Sequence, residues 1–101
     1  MEYIRHTPHL HERRGETESH FLFWCPGCHE THHFTLSATR GWKFDGNYAS
    51  PTFSPSLLYP DKKVRCYLFL KAGFVEFCSD CGHPLAGKRV PLPNLDEELG
   101  S

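Results

Sequence analysis

No stretch of this 101-residue chain approaches the roughly 18 consecutive apolar residues that a membrane-spanning helix needs. Its opening, MEYIRHTPHLHERRGETES, has no hydrophobic segment of the kind that leads a secreted chain. The expectation is a soluble intracellular protein with no membrane partner. An excess of charge of one sign is also missing. Eleven Lys and Arg stand against twelve Asp and Glu, for a formal net charge of -1. The concentrated positive charge that grips a phosphate backbone is absent, so nucleic acid is not favoured as a partner. There is no repeat and no domain linker. At 11.7 kDa the chain reads as one domain with a small core, burying only about 60 to 68% of its unfolded surface. The HxE and PCxxC pair of the nucleobase deaminases does not occur, and the letters HExxH, present as HETHH at residues 29 to 33, fall on a turn and a strand-like run, whereas that motif needs a helix.

What the chain does have is five Cys and eight His. In a reducing compartment five cysteines are not a disulfide framework, and an odd number cannot pair completely within one chain. The balance moves towards metal.

Residues 1 to 19 are charged and poor in apolar side chains after Ile4, which predicts a loose or edge-packed polar arm with His6, His9 and His11 exposed, the alternative being a short first strand around Tyr3 and Ile4. Residues 20 to 93 read as a small antiparallel β domain, mainly β with long ordered loops. HFLFW enters the core, CPGCHE reverses the chain, and THHFTLS returns with His32, Phe34 and Leu36 on one face and Thr31, His33 and Thr35 on the other. Trp42 and Phe44 anchor a short strand before the turn Asp45-Gly46-Asn47, and PTFSPSLL follows as an ordered loop. VRCYLFL and GFVEFC form a hairpin around Lys71 and Ala72, with Gly73 supplying a positive φ and with Val64, Cys66, Leu68 and Leu70 on one face. A last edge strand runs at most from Lys88 to Leu92. The acidic tail, residues 94 to 101, is too short for an independent helix.

Cys25-x2-Cys28 is the spacing at which two thiolates meet one tetrahedral ion. A redox dithiol shares this spacing, but it normally begins a helix after a parallel strand, whereas here two strand-like runs flank the turn. The second half-site is Cys81-x-His83, in the run CSDCGHPLAG. Zinc bound by Cys25, Cys28, Cys81 and His83 would clamp the beginning of the sheet to its end. His32, His33 and Cys66 compete as ligands, because Cys28-x3-His32 is nearly as economical and Cys66 comes from the central hairpin. Cys78 is the thiol left over. Asp80, His33 and Glu30 are the acids and bases a catalytic zinc would call on.

The blocks FWCPGCHETHHF, GWKFDGN, PTFSPSL, CYLFLKAGFVEF and DCGHPLAGKRVPLP resemble a small family encoded mostly by bacteriophages and prophages, over residues 20 to 93. In that family's pattern the residue after the central cysteine is often histidine; here it is Tyr67. The resemblance implies a metal-stabilised β core with a shaped loop over it. It also implies a phage accessory protein in the cytoplasm of a bacterial host; with the metal signal, the balanced charge and the lack of a persuasive catalytic set, the reading is a zinc-binding, non-enzymatic module directed at a host or phage protein. A zinc-dependent hydrolase or nucleic-acid enzyme is the first alternative. The second is a nucleic-acid-binding zinc module using Trp42, Lys43, Phe44 and Tyr48.

Overall fold

A computed structural model describes residues 2–37, 42–59 and 66–100, apart from the side chains of Pro55, Leu58, Tyr59 and Gly100. Strands β1 (Glu2–Arg5), β2 (His11–Arg14), β3 (Glu18–Cys25) and β4 (Glu30–Ser37) form one antiparallel sheet in chain order. Strands β5 (Lys43–Phe44), β6 (Phe53–Tyr59), β7 (Cys66–Lys71), β8 (Phe74–Phe77) and β9 (Arg89–Pro91) form a second, also antiparallel and in chain order. One short helix, α1 (Leu95–Gly100), follows. The mainly β architecture is the one the sequence predicts.

Alternation explains which side chains go inside. Along β3, Phe21, Phe23 and Cys25 are buried while their neighbours are half-buried. β4 returns in the register Phe21↔Phe34 and Phe23↔His32, so His32 and Phe34 lie on the buried face. From the other sheet Cys66, Leu68, Leu70, Val75 and Phe77 point inward. Val64 lies outside the described residues. The sheets meet through a stack in which the rings of Phe34 and Phe53 are 4.6 Å apart and nearly parallel, with Phe44 on Phe53 at 4.7 Å. Each fully buried side chain of this size contributes about 1.5 to 3 kcal/mol, and each aromatic pair a further 0.5 to 1.5 kcal/mol, roughly.

The β7–β8 hairpin closes through Ala72 and Gly73, with φ of 49° and 81°. Both are left-handed, as a two-residue turn matched to strand twist requires. Pro51 and Thr52 secure this turn: the Thr52 hydroxyl accepts from the Ala72 N–H at 2.8 Å and the Pro51 carbonyl from the Gly73 N–H at 3.0 Å. PTFSPSLL, expected as a loop, supplies strand β6. Its pairing with β7 shifts register between Phe53 and Leu57. That interval contains Pro55, which has no N–H to give a ladder.

Both ends of the chain are ordered by tertiary packing. Residues 1 to 19, predicted as a loose or edge-packed arm or as a short first strand around Tyr3 and Ile4, carry β1 at Tyr3 and Ile4 and also β2, with Leu10 and Glu12 buried, and His11 buried where exposure is predicted. Buried polar groups require partners, and here they have them. Glu12 takes hydrogen bonds from His6 at 2.7 Å and from Arg14 at 3.1 Å. His11 sits between the Tyr3 hydroxyl at 2.6 Å and Asp96 at 2.8 Å. The acidic tail forms α1 because tertiary packing supplies what its six residues lack. Leu95 is wholly buried, its N–H donates to the Pro8 carbonyl, and Asn94 caps the first turn through the Glu97 N–H.

Candidate metal centre

The CPGC turn lies between β3 and β4. Cys25 ends β3 facing the core, and the chain reverses through Pro26, Gly27 and Cys28 to His29, which takes a φ of 56° while its N–H donates to the Cys25 carbonyl at 2.9 Å. This reversal returns Cys28 to the same side as Cys25. Alternation along β4 then separates the two candidate histidines. His32 faces inward and is 1% exposed, whereas His33 lies on the opposite face with its ring edge-on to His20 at 5.1 Å. Cys66 arrives from the other sheet at the start of β7, wholly buried.

The structure thus brings together Cys25, Cys28, His32 and Cys66, whose donor atoms all lie within 4.8 Å of one another. The Cys25 and Cys66 sulfurs are 3.8 Å apart and not bonded. A tetrahedral zinc with Zn–S bonds of about 2.3 Å sets its sulfurs about 3.8 Å apart. The donor set suits the ion, and the Cys25–Cys66 pair already has the spacing it needs.

The ionisation of the thiols points the same way. The Cys25 thiol is driven well below its ordinary range, chiefly by the hydrogen bond from Cys66 and then by the His32 imidazole, against the opposing effect of burial. Donation to Cys25, together with burial, pushes Cys66 up. Burial and the neighbouring Cys25 charge push Cys28 up. One sulfur ionises readily and the other two resist joining it, because like charges crowded in a low-dielectric site repel. A divalent cation removes that resistance and lets all three ionise together.

Of the four predicted ligands, Cys25 and Cys28 belong to this cluster. The Cys81 sulfur lies against the backbone of Tyr67, with its thiol donating to the carbonyl at 3.0 Å and the sulfur accepting from the N–H at 3.3 Å. His83 is 8% exposed and its Nε2 stands 3.8 Å from the Cys66 sulfur. Its ring meets Phe77 edge-on at 4.6 Å. Cys78 lies outside the cluster, its carbonyl accepting from the N–H groups of Cys81 and Gly87. The buried polar residues of β2, His11 and Glu12, went unrecognised in the sequence, where nothing but the isolated Leu10 marks that strand as half-buried.

A family described as bacterial ubiquitination-like system serine protease (BubE) matches residues 2–78. The match spans all four clustered donors, and Cys81 and His83 lie beyond it. No curated protein and no solved structure matches the chain.

Proposed function

The chain belongs to the BubE family of bacterial ubiquitination-like system serine proteases, and from that premise we propose that it is a protein-processing component of such a system, built around a structural zinc. The observation that carries the zinc's role is the donor set. Three sulfurs and one imidazole, with only Cys28 partly exposed, fill a tetrahedron and leave no place for the water that a catalytic zinc keeps. Cys25, Cys28 and His32 would hold the ion from the first sheet and Cys66 from the second. When bound, it supplies cohesion between the sheets.

The family's description names a serine protease. A serine nucleophile is activated by a nearby base and makes no demand on a metal, so a zinc confined to holding the fold suits that chemistry better than a zinc-dependent hydrolase does. The macromolecule handled is then a protein, a ubiquitin-like modifier or its conjugate, which agrees with the balanced charge of the chain. The resemblance to phage and prophage proteins adds that the system acted on is the host's. A second reading, a module that binds such a protein without cutting it, is favoured by Tyr67. Where the motif often carries histidine, this chain has a phenol, with its ring 6.2 Å from that of Phe69, and a phenol is no base at neutral pH.

The test combines a fluorophosphonate probe with a ubiquitin-like protein fused at its C-terminus to a reporter, each applied to zinc-loaded and to cadmium-loaded protein. The processing reading expects one serine to be labelled and the fusion to be cleaved with either metal. Binding without label or cleavage supports the module. Cleavage abolished by the cadmium exchange, with the fold intact, would overturn the structural role of the metal.

A further inference from the structure

His83 stands against the metal cluster, and its two ring nitrogens have different surroundings. The Leu85 N–H lies 3.3 Å from Nδ1. A backbone N–H can only donate, so Nδ1 must offer its lone pair, and in the neutral ring the proton is then on Nε2. Nε2 is the atom that faces the Cys66 sulfur at 3.8 Å. A protonated ring nitrogen has no lone pair for a metal. It can donate a hydrogen bond to a thiolate that holds one.

The ring is also fixed on its other sides. Its edge packs on Phe77, and its face lies so close to Gly27 that a Cβ at that position would overlap the imidazole. The absence of a side chain in the CPGC turn is therefore what lets the segment after β8 close over the cluster. Three thiolates around a divalent ion carry a net charge of -1 in a buried site, and a donor aimed at one sulfur offsets part of that charge.

We propose that His83 is a positioning residue of the metal centre, donating its Nε2–H to the Cys66 thiolate and seated there by Gly27. The inference rests on the ligand set Cys25, Cys28, His32 and Cys66 given above. Its consequence is that the long-range tie between the CPGC turn and the CSDCGHPLAG segment exists, but runs through a hydrogen bond to a ligand.

Cobalt(II) is the probe, because its d–d bands report the number and kind of ligands while its sulfur-to-cobalt charge-transfer band reports the electron richness of the sulfurs. Three variants separate the possibilities. His83→Leu removes the donor, His83→Gln keeps an N–H near the position of Nε2, and Gly27→Ala displaces the ring while leaving every cysteine and histidine in place. His83→Leu and Gly27→Ala should keep the d–d pattern of the parent, shift the charge-transfer band to lower energy, and weaken cobalt binding in competition with a chromophoric chelator by about 10- to 100-fold. His83→Gln should restore most of both. If His83→Leu and His83→Gln both change the d–d pattern as the loss of a nitrogen ligand would, His83 is itself a ligand and the proposal is wrong. An unmoved charge-transfer band and affinity in His83→Leu and Gly27→Ala would reduce His83 to packing. Failure of the ligand set shows separately, as a Cys66→Ala variant whose cobalt spectrum equals that of the parent.

Discussion

Replacing Cys66 with alanine removes the one clustered donor that comes from the second sheet, and the structure sets the size of the effect. Cys25, Cys28 and His32 lie within one hairpin, so a metal held by these three alone closes only short loops. Cys66 is 41 residues from Cys25, and a cross-link over that separation restricts the unfolded chain by about 4 kcal/mol. The packing lost with one buried sulfur adds about 1 kcal/mol, on the scale of a small core truncation. For a domain of this size each kcal/mol moves the melting temperature by about 4 to 8 °C, so the zinc-loaded variant should melt about 20 to 40 °C below the zinc-loaded parent. With a chelator present neither protein has the tie to lose, and the two should differ by no more than the packing loss. The assay is thermal unfolding followed by circular dichroism, with and without chelator, beside metal content measured on the same samples. A deficit of equal size in both conditions would refute the reasoning, since it would make Cys66 a core residue and nothing more.

Cys81→Ala and Cys78→Ser should each retain one zinc per chain with near-parental affinity, as measured by competition, because Cys81 is engaged with the Tyr67 backbone and Cys78 lies outside the cluster; loss of the metal from Cys81→Ala would restore that thiol to the ligand set. Ala72→Asn should stabilise the protein by about 1 kcal/mol in chemical denaturation, since Ala72 holds a left-handed φ of 49° that costs an L-residue about that much and asparagine tolerates. Glu12→Gln should cost about 1 to 3 kcal/mol at pH 7. Burial alone would raise the Glu12 carboxyl, but hydrogen bonds from Arg14, His6 and Ser19 hold it below the usual carboxylate range. A group lowered on folding stabilises above its unfolded pKa and loses that contribution as the pH falls through its folded one. The gap between Glu12→Gln and the parent should therefore narrow below the ordinary carboxylate range, and a gap constant across that range would contradict the assignment.

The parts of the fold legible in the sequence are those whose signal is local. The alternation in CYLFLK and THHFTLS assigns Cys66, Leu68, Leu70, His32 and Phe34 to the interior, and Gly73 marks the hairpin turn. β1 and β2 carry no such pattern, because their burial is supported by ion pairs and hydrogen bonds between residues far apart in the chain, as in His11 with Asp96. Asn94 and Glu97 do carry the signature of a helix start, but a six-residue helix needs the Pro8 and Leu95 contacts to persist, and these are tertiary. For the metal, the CPGC spacing identifies half of the cluster. The choice among His32, Cys66, Cys81 and His83 depends on how one sheet lies over the other, which no spacing along the chain encodes.

The direct measurement is an anomalous-scattering map of zinc-loaded crystals collected on both sides of the zinc edge. One peak per chain, within bonding distance of the sulfurs of Cys25, Cys28 and Cys66 and of a His32 nitrogen, with His83 lying beyond Cys66, is the predicted result. A peak bonded instead to Cys81 and His83, with Cys66 and His32 outside its reach, would contradict it.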